Sequence, residues 1–190
     1  MANSGFDIDV DELTLRGAKR GDMAACERIY RLYRGPAFTV AVRIVRCREL
    51  AQDVTQEAFI SAFRRVSQFR GDSPFWGWLR RVVINHAISA LRRRPSAEII
   101  AFEEYQAWEP GEQDSIGMAM DLESALAELD DDDRTIVWLH DVEGYKHKEI
   151  ARLFGKTESF SKTRLARARA RLRELIEASR GEEIENAYAH

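Results

Sequence analysis

This sequence predicts an all-α fold: two small helical domains joined by an acidic linker, the second carrying a helix-turn-helix. Three observations predict it. Apolar residues recur with helical period nearly everywhere outside one central segment, and no segment keeps up the alternation of a strand. The charge falls into three blocks. Residues 1–94 hold 17 Lys/Arg against 10 Asp/Glu, residues 95–133 hold 13 acids and no base, and residues 134–190 hold 12 bases against 9 acids. A net charge of -3 therefore hides two basic domains around an acidic connector, a pattern that fits polyanion-facing surfaces.

The 190 residues leave room for one domain or two small ones. At 45% apolar and 32% charged, the composition is that of a globular, soluble helical protein. The longest apolar run, residues 38–45, is broken by Arg43 and falls well short of the roughly 18 residues of a membrane span. The start has neither a basic nor an apolar export region, so a cytoplasmic protein without membrane partners is expected. Cys26 and Cys47 lack metal-binding or redox spacing and read as small hydrophobes.

In chain order, Asp22 can cap a helix carrying Ala25, Ile29, Leu32 and Tyr33, which Gly35-Pro36 is expected to end. Pro36 then suits the first turn of a second helix through Val40 and Ile44. Residues 49–66 form a third, with Leu50, Val54, Ala58, Ala62 and Val66 near one face. After a loop at residues 67–74 with Gly71-Asp72 at its tip, a long helix rich in Trp76, Trp78, Leu79, Val82 and Ile88 runs to Arg94. Residues 1–94 are thus a four-helix domain and residues 95–120 an acidic linker, in which Phe102, Tyr105 and Trp108 are the candidates for docking. Residues 121–180 form the second domain and 181–190 a frayed tail. In the second domain Leu122, Leu126 and Leu129 begin a helix, and Asp131 to Asp133 place negative charge at the start of the next, which Gly144 ends.

The segment HKEIARLFGKTESFSKTRLARARARLRELI is the most specific local signal. A short helix, residues 147–154, carries Ala151 where two helices approach closely, and Gly155 sits where the turn needs positive φ. A second helix follows with Lys162, Arg164, Arg167, Arg169, Arg171 and Arg173. This is helix-turn-helix spacing, in which the second helix enters the major groove. Its inner stripe Leu165, Ala168, Leu172 would begin at Ser161, so Phe160 is expected to supply the missing apolar contact through a slight rotation of the helix.

Together the motifs resemble the extracytoplasmic-function sigma factors of the sigma-70 family. The first half resembles region two through RGDMAACERIYRLYRG, DVTQEAFISAF and FRGDSPFWGWLRRVVINHAISALRRR. The second resembles region four through LAEL, HDVEGY, KEIARLFG and KTRLARARARLRELI, in order and spacing over about residues 11–177. The resemblance implies an RNA polymerase sigma factor: a non-enzymatic subunit that binds core RNA polymerase through its clamp helices and flap, recognises promoter DNA, and needs no cofactor or metal. It places Asp53, Gln56 and Glu57 on the face that meets the clamp helices. Arg70, Asp72 and Ser73 fall at a pocket for a flipped minus-ten base, and Arg80, Arg81, Asn85 and Arg92 along the DNA. Trp76 and Trp78 are expected to pack in the core. Lys156, Thr157, Ser159, Lys162, Thr163, Arg164 and Arg167 are the expected minus-thirty-five contacts. The connector is expected to thread the polymerase's RNA exit channel.

Some positions depart from the family pattern. Where many members carry an acidic run close to D-A-E-D, this chain has Leu50, Ala51, Gln52 and Asp53, losing two carboxylates from the docking face. A phosphate on Thr55 would restore roughly -1.5 to -2 charges near a helix start. Control by a Ser/Thr protein kinase at Thr55 is therefore expected in place of an anti-sigma factor, the alternative being that Asp53 and Glu57 suffice for docking. Asp130 to Asp133 replace a Pro-containing helix start, and Ser89 stands where an acid is common. Two other readings compete. One is a helix-turn-helix repressor acting without polymerase. The other is a protein whose acidic segment mimics nucleic acid, which leaves the basic domains unexplained. No His, Asp, Ser or Cys grouping suits catalysis.

Overall fold

The computed structural model describes residues 9–93, 122 and 124–188, with side chains described to residue 179. The described residues are helical with no strand, and no helix among them is long and apolar enough to cross a membrane. The chain divides into two compact units, residues 1–102 and 103–190. The expected linker, with Phe102, Tyr105 and Trp108, lies outside the described residues, as does Arg94.

Among its described residues the first unit has four α-helices, partitioned differently from the expectation. Helix α1 (Glu12–Lys19) is capped by Asp11, whose carboxylate accepts from Thr14 N at 2.8 Å and from the Thr14 hydroxyl at 2.6 Å. Helix α2 (Met23–Val45) is capped by Asp22, as expected, through Ala24 N. It then runs unbroken through Gly35 and Pro36, where the sequence predicts a break. An interior proline costs about 3 kcal/mol. Here Ile29 and Tyr33 before it and Ala37, Val40, Ala41 and Ile44 after it are all buried on one face, and their burial outweighs the lost hydrogen bond. The helix ends at Arg46, a non-glycine residue in the left-handed region at φ +48°.

Helix α3 (Arg48–Arg65) buries Ala51, Val54, Ala58, Phe59 and Ala62, and a short 3-10 turn (Val66–Gln68) leads into the loop. Helix α4 (Phe75–Arg93) presents Phe75, Trp76, Leu79, Val83, Ile84, Ala87 and Ile88 to α2 and α3. Trp76 stacks on Tyr33 with ring centres 5.6 Å apart and planes 6° from parallel. Helix α1 docks on α2 at Gly17, where a Cβ would lie 2.9 Å from Ala25 Cβ, so only glycine fits.

In the second unit the backbone is helical at 124–127 and then forms α5 (Asp131–Val137), which continues as a π turn (Trp138–Val142). Gly144, at φ +70°, closes it. Helix α6 (His147–Phe154) ends on Gly155 at φ +60°, with Lys156 N–H donating to Ala151 O at 2.9 Å, as the sequence requires of the turn. Helix α7 (Glu158–Tyr188) follows, with the Thr157 hydroxyl accepting from Phe160 N at 3.3 Å. The backbone stays helical past Gly181, where a tail is expected. Ile136, Leu139, Ile150, Ala151, Phe154, Leu165, Ala168 and Leu172 form the core.

Candidate nucleic-acid and polymerase interface

On α3, the alternation of buried Val54, Ala58 and Phe59 with polar residues turns Asp53, Gln56 and Glu57 outward, and all three are exposed. Thr55 faces the other way. It is 6% exposed, and its hydroxyl donates to Ala51 O at 2.7 Å. Because Thr55 lies one position after Val54 it falls on the buried stripe, so the structure withdraws the expected phosphorylation site from solvent.

The loop between α3 and α4 stands on an aromatic floor. Phe69 and Phe75 meet edge to face at 5.3 Å, and Trp78 lies 5.7 Å from Phe69 and 5.4 Å from Phe75. Trp76 is core, as expected, while Trp78 is half-buried at the rim of this cluster. Over the floor Arg70, Asp72 and Ser73 are exposed, with Gly71 at φ +86° forming the tip. A short polar loop on a rigid apolar base can seat a planar ligand without reorganising.

Along α4, Arg81, Asn85 and Arg92 are exposed and Arg80 is half-buried. Asn85 is held by donating its side-chain amide to Arg81 O at 2.7 Å. Asn85, His86, Ser89 and Arg92 line one side of a groove of about 600 Å³, and Glu57 and Arg65 of α3 line the other. His86 Nδ1 lies 3.5 Å from Glu57 Oε2, so the expected docking face and the expected DNA-reading helix share a contact. Sequence reading missed His86, since nothing local pairs residues on separate helices.

In the helix-turn-helix, Lys156, Thr157, Ser159 and Thr163 are exposed, and Lys162 is paired one turn back with Glu158 at 2.9 Å. Arg164 and Arg167 are engaged within the domain. Arg164 Nη1 meets Asp130 Oδ2 at 2.6 Å and Asp133 Oδ1 at 2.9 Å, and Arg167 Nη2 meets Asp133 Oδ2 at 2.7 Å. Burial opposes the Arg164 charge, but the hydrogen bond to Asp133 and the field of Asp130 outweigh it and raise its pKa. Asp130 also caps α5 by accepting from Asp133 N at 2.8 Å. Farther along, Arg169 Nε donates to Asp141 Oδ2 at 3.1 Å.

The gap at Ser161 is filled by a polar contact as well as an apolar one. Ser161 is fully buried, and its hydroxyl lies 3.1 Å from His147 Nδ1 at the start of α6. Phe160 packs on Phe154 at 6.1 Å, with Arg164 over its other side at 5.4 Å. The His147 ring stacks on His140 at 4.6 Å. Burial first, then the neighbouring charges of His140 and Lys162, lowers the His147 pKa. The interruption of the stripe at Ser161 was the signal in the sequence; its partner fourteen residues away was not. Among the described residues no cluster of His, Cys, Asp or Glu could hold a metal ion.

Comparison with known proteins agrees with this layout. The family profile for sigma-70 region 2 matches residues 29–96, and that for sigma-70 region 4 matches residues 119–172. The RNA polymerase sigma-H factor of Pseudomonas aeruginosa is 32% identical over 173 residues, covering 84% of this chain and 90% of its own. The ECF RNA polymerase sigma factor SigM of Mycobacterium tuberculosis is 32% identical over 157 residues, covering 82% and 79%. Among solved structures, the sigma factor RpoE bound to the anti-sigma factor NepR from Bartonella quintana is similar with a TM-score of 0.57 and 24% identity. It covers 80% of this chain and 96% of its own. With two sigma-70 regions in order and relatives matched over most of their length, the chain belongs to the extracytoplasmic-function sigma factors of the sigma-70 family.

Proposed function

We propose that this chain directs transcription initiation by docking the Asp53, Gln56 and Glu57 face of α3 on core RNA polymerase. The loop at Arg70, Asp72 and Ser73 and the outer face of α4 then read and melt the minus-ten element, and α6 and α7 hold minus-thirty-five DNA. The observation that carries the reading is the exposed polar loop on its aromatic floor, at the end of a helix whose outer face carries Arg81, Asn85 and Arg92. Core packing accounts for the floor and gives no reason for the loop, whereas an unstacked base needs both. Within this scheme residues 1–94 act as the docking and melting domain and residues 121–180 as the minus-thirty-five domain. The acidic residues between them thread the polymerase's RNA exit channel, and the protein works in the cytoplasm.

Two routes of control follow from the family, capture by an anti-sigma factor and phosphorylation at Thr55. Burial of the Thr55 hydroxyl favours the first, since Thr55 lies two turns into α3 rather than near its start and a kinase must first unwind the helix around it. Run-off transcription with purified core RNA polymerase on fragments of the source genome tests the scheme. Unmodified protein should yield specific starts, and Ser73→Arg together with Asp72→Lys should abolish them while polymerase binding persists. Duplex binding without any polymerase binding would instead make the chain a repressor. Starts that appear only after Thr55 is phosphorylated would restore the kinase route.

A further inference from the structure

Arg164 and Arg167 lie on the helix proposed above to face minus-thirty-five DNA, yet both guanidinium groups are already gripped by carboxylates. Asp133 bridges them, 2.9 Å from Arg164 and 2.7 Å from Arg167, and Asp130 adds contacts at 2.6 and 3.4 Å. The grip is partly dry: the side chains of Asp133 and Arg164 are only 7% and 24% exposed. Arg167, at 60%, stays open on one side. Asp131, in the same turn, is directed instead at Arg134.

A carboxylate and a phosphate are both oxyanions that accept the forked hydrogen bonds of arginine. We infer that Asp130 and Asp133 act as an internal competitor for the phosphates of minus-thirty-five DNA and so set how tightly this domain holds a promoter. The inference rests on the reading of α7 as a DNA-facing helix. To take a phosphate, each arginine exchanges one oxyanion for another, and the carboxylates it leaves remain as negative charge beside the duplex. Those carboxylates then take up cations, which offsets the counterions that the DNA releases. The two arginines therefore add little net affinity and little salt dependence to the intact chain. The domain is left dependent on the contacts of the rest of the holoenzyme, and promoter choice passes to the exposed Ser159 and Thr163 and to Lys162.

The test is fluorescence anisotropy of the full chain on mixed-sequence duplex DNA across a salt series. Asp130→Asn combined with Asp133→Asn keeps an amide able to cap α5 while removing the two nearest charges and leaving the more distant Asp132, 3.8 Å from Arg164. This variant should bind roughly tenfold tighter at moderate salt, with a log–log salt slope steeper by roughly one to two units as the arginines gain phosphates. Asp131→Asn, which removes a charge from the same turn but not from the grip, should keep the original slope. In the intact chain Arg164→Gln should leave the slope nearly unchanged, whereas Lys162→Gln, whose pair with Glu158 lies in solvent and is screened, should flatten it by roughly one unit. The Arg164 measurement serves even where the double variant fails to fold by circular dichroism. A folded double variant with equal or weaker binding overturns the competitor, as does an Arg164→Gln slope that flattens like that of Lys162→Gln. If Lys162→Gln has no effect, the reading of α7 fails and the competitor falls with it; a Lys162 effect without a gain at the aspartates overturns the competitor alone.

Discussion

In the first unit the buried contacts between helices are aromatic and aliphatic, with the His86–Glu57 contact at the surface: Tyr33 on Trp76, Phe69 on Phe75, and Ile29, Ile44, Leu79 and Ile84 fully buried. In the second unit several contacts that tie α7 to its neighbours are polar. Asp130 and Asp133 hold Arg164 and Arg167, Asp141 holds Arg169, and Ser161 meets His147. Apolar packing holds no charge for salt to screen or pH to titrate, and leaves charged groups to face outward. A polar seam uses the same charges for the fold and for the ligand, so the two compete. In the proposed scheme the first unit presents a fixed loop and the second holds DNA with adjustable strength.

Phe75→Ala should break the first side of this contrast most severely. It removes the ring that meets Tyr33, Phe69 and Trp78, at a cost of about 3–5 kcal/mol, seen as a lower urea midpoint. Gly17→Ala forces its Cβ against Ala25 and should cost about 1–3 kcal/mol by the same measurement, with α1 loosened from α2.

The second side of the contrast responds to chemistry that the first ignores. Ser161→Ala leaves His147 Nδ1 without its partner and should cost about 1–2 kcal/mol at pH 7.5. Folding itself should also depend on pH here. The His147 pKa is lowered from 6.5, so the unfolded chain takes up a proton that the folded one resists. Stability from this group is complete above pH 6.5 and falls as the pH drops through that value toward the lowered pKa. Thermal melts between pH 7.5 and 5.5 should show the decline, and His147→Gln should flatten it. The smallest effect is expected at Arg171→Gln. Its pair with Glu174 at 3.3 Å lies in solvent and should contribute at most about 0.5 kcal/mol, which separates an ordinary surface pair from the grip on Arg164.

The features legible from the sequence share a property: each is decided within about one helical turn. Asp22 caps because its carboxylate reaches Ala24 N, and Gly155 stops α6 because the left-handed turn strains a residue with a Cβ but not glycine. The all-α class and the helix-turn-helix follow from periodicity for the same reason. Pro36 shows where local rules end, since its helix-breaking tendency is real and is overridden only by the face that α2 buries against α3 and α4. The candidate site divides along the same line. The exposed polar residues of α3 and of the loop at residues 69–74 are where the sequence places them, because their neighbours' burial leaves them no other direction. The fate of Thr55 depended on which flank of the stripe faces the core. That of Arg164 depended on an aspartate 31 residues earlier. Sequence by itself determined the all-α class, the helix ends at Asp22 and Gly155, and the family; the tertiary structure alone decided where α2 runs on and which of the charged groups are still available to a partner, because that depends on what each meets across the fold rather than along the chain.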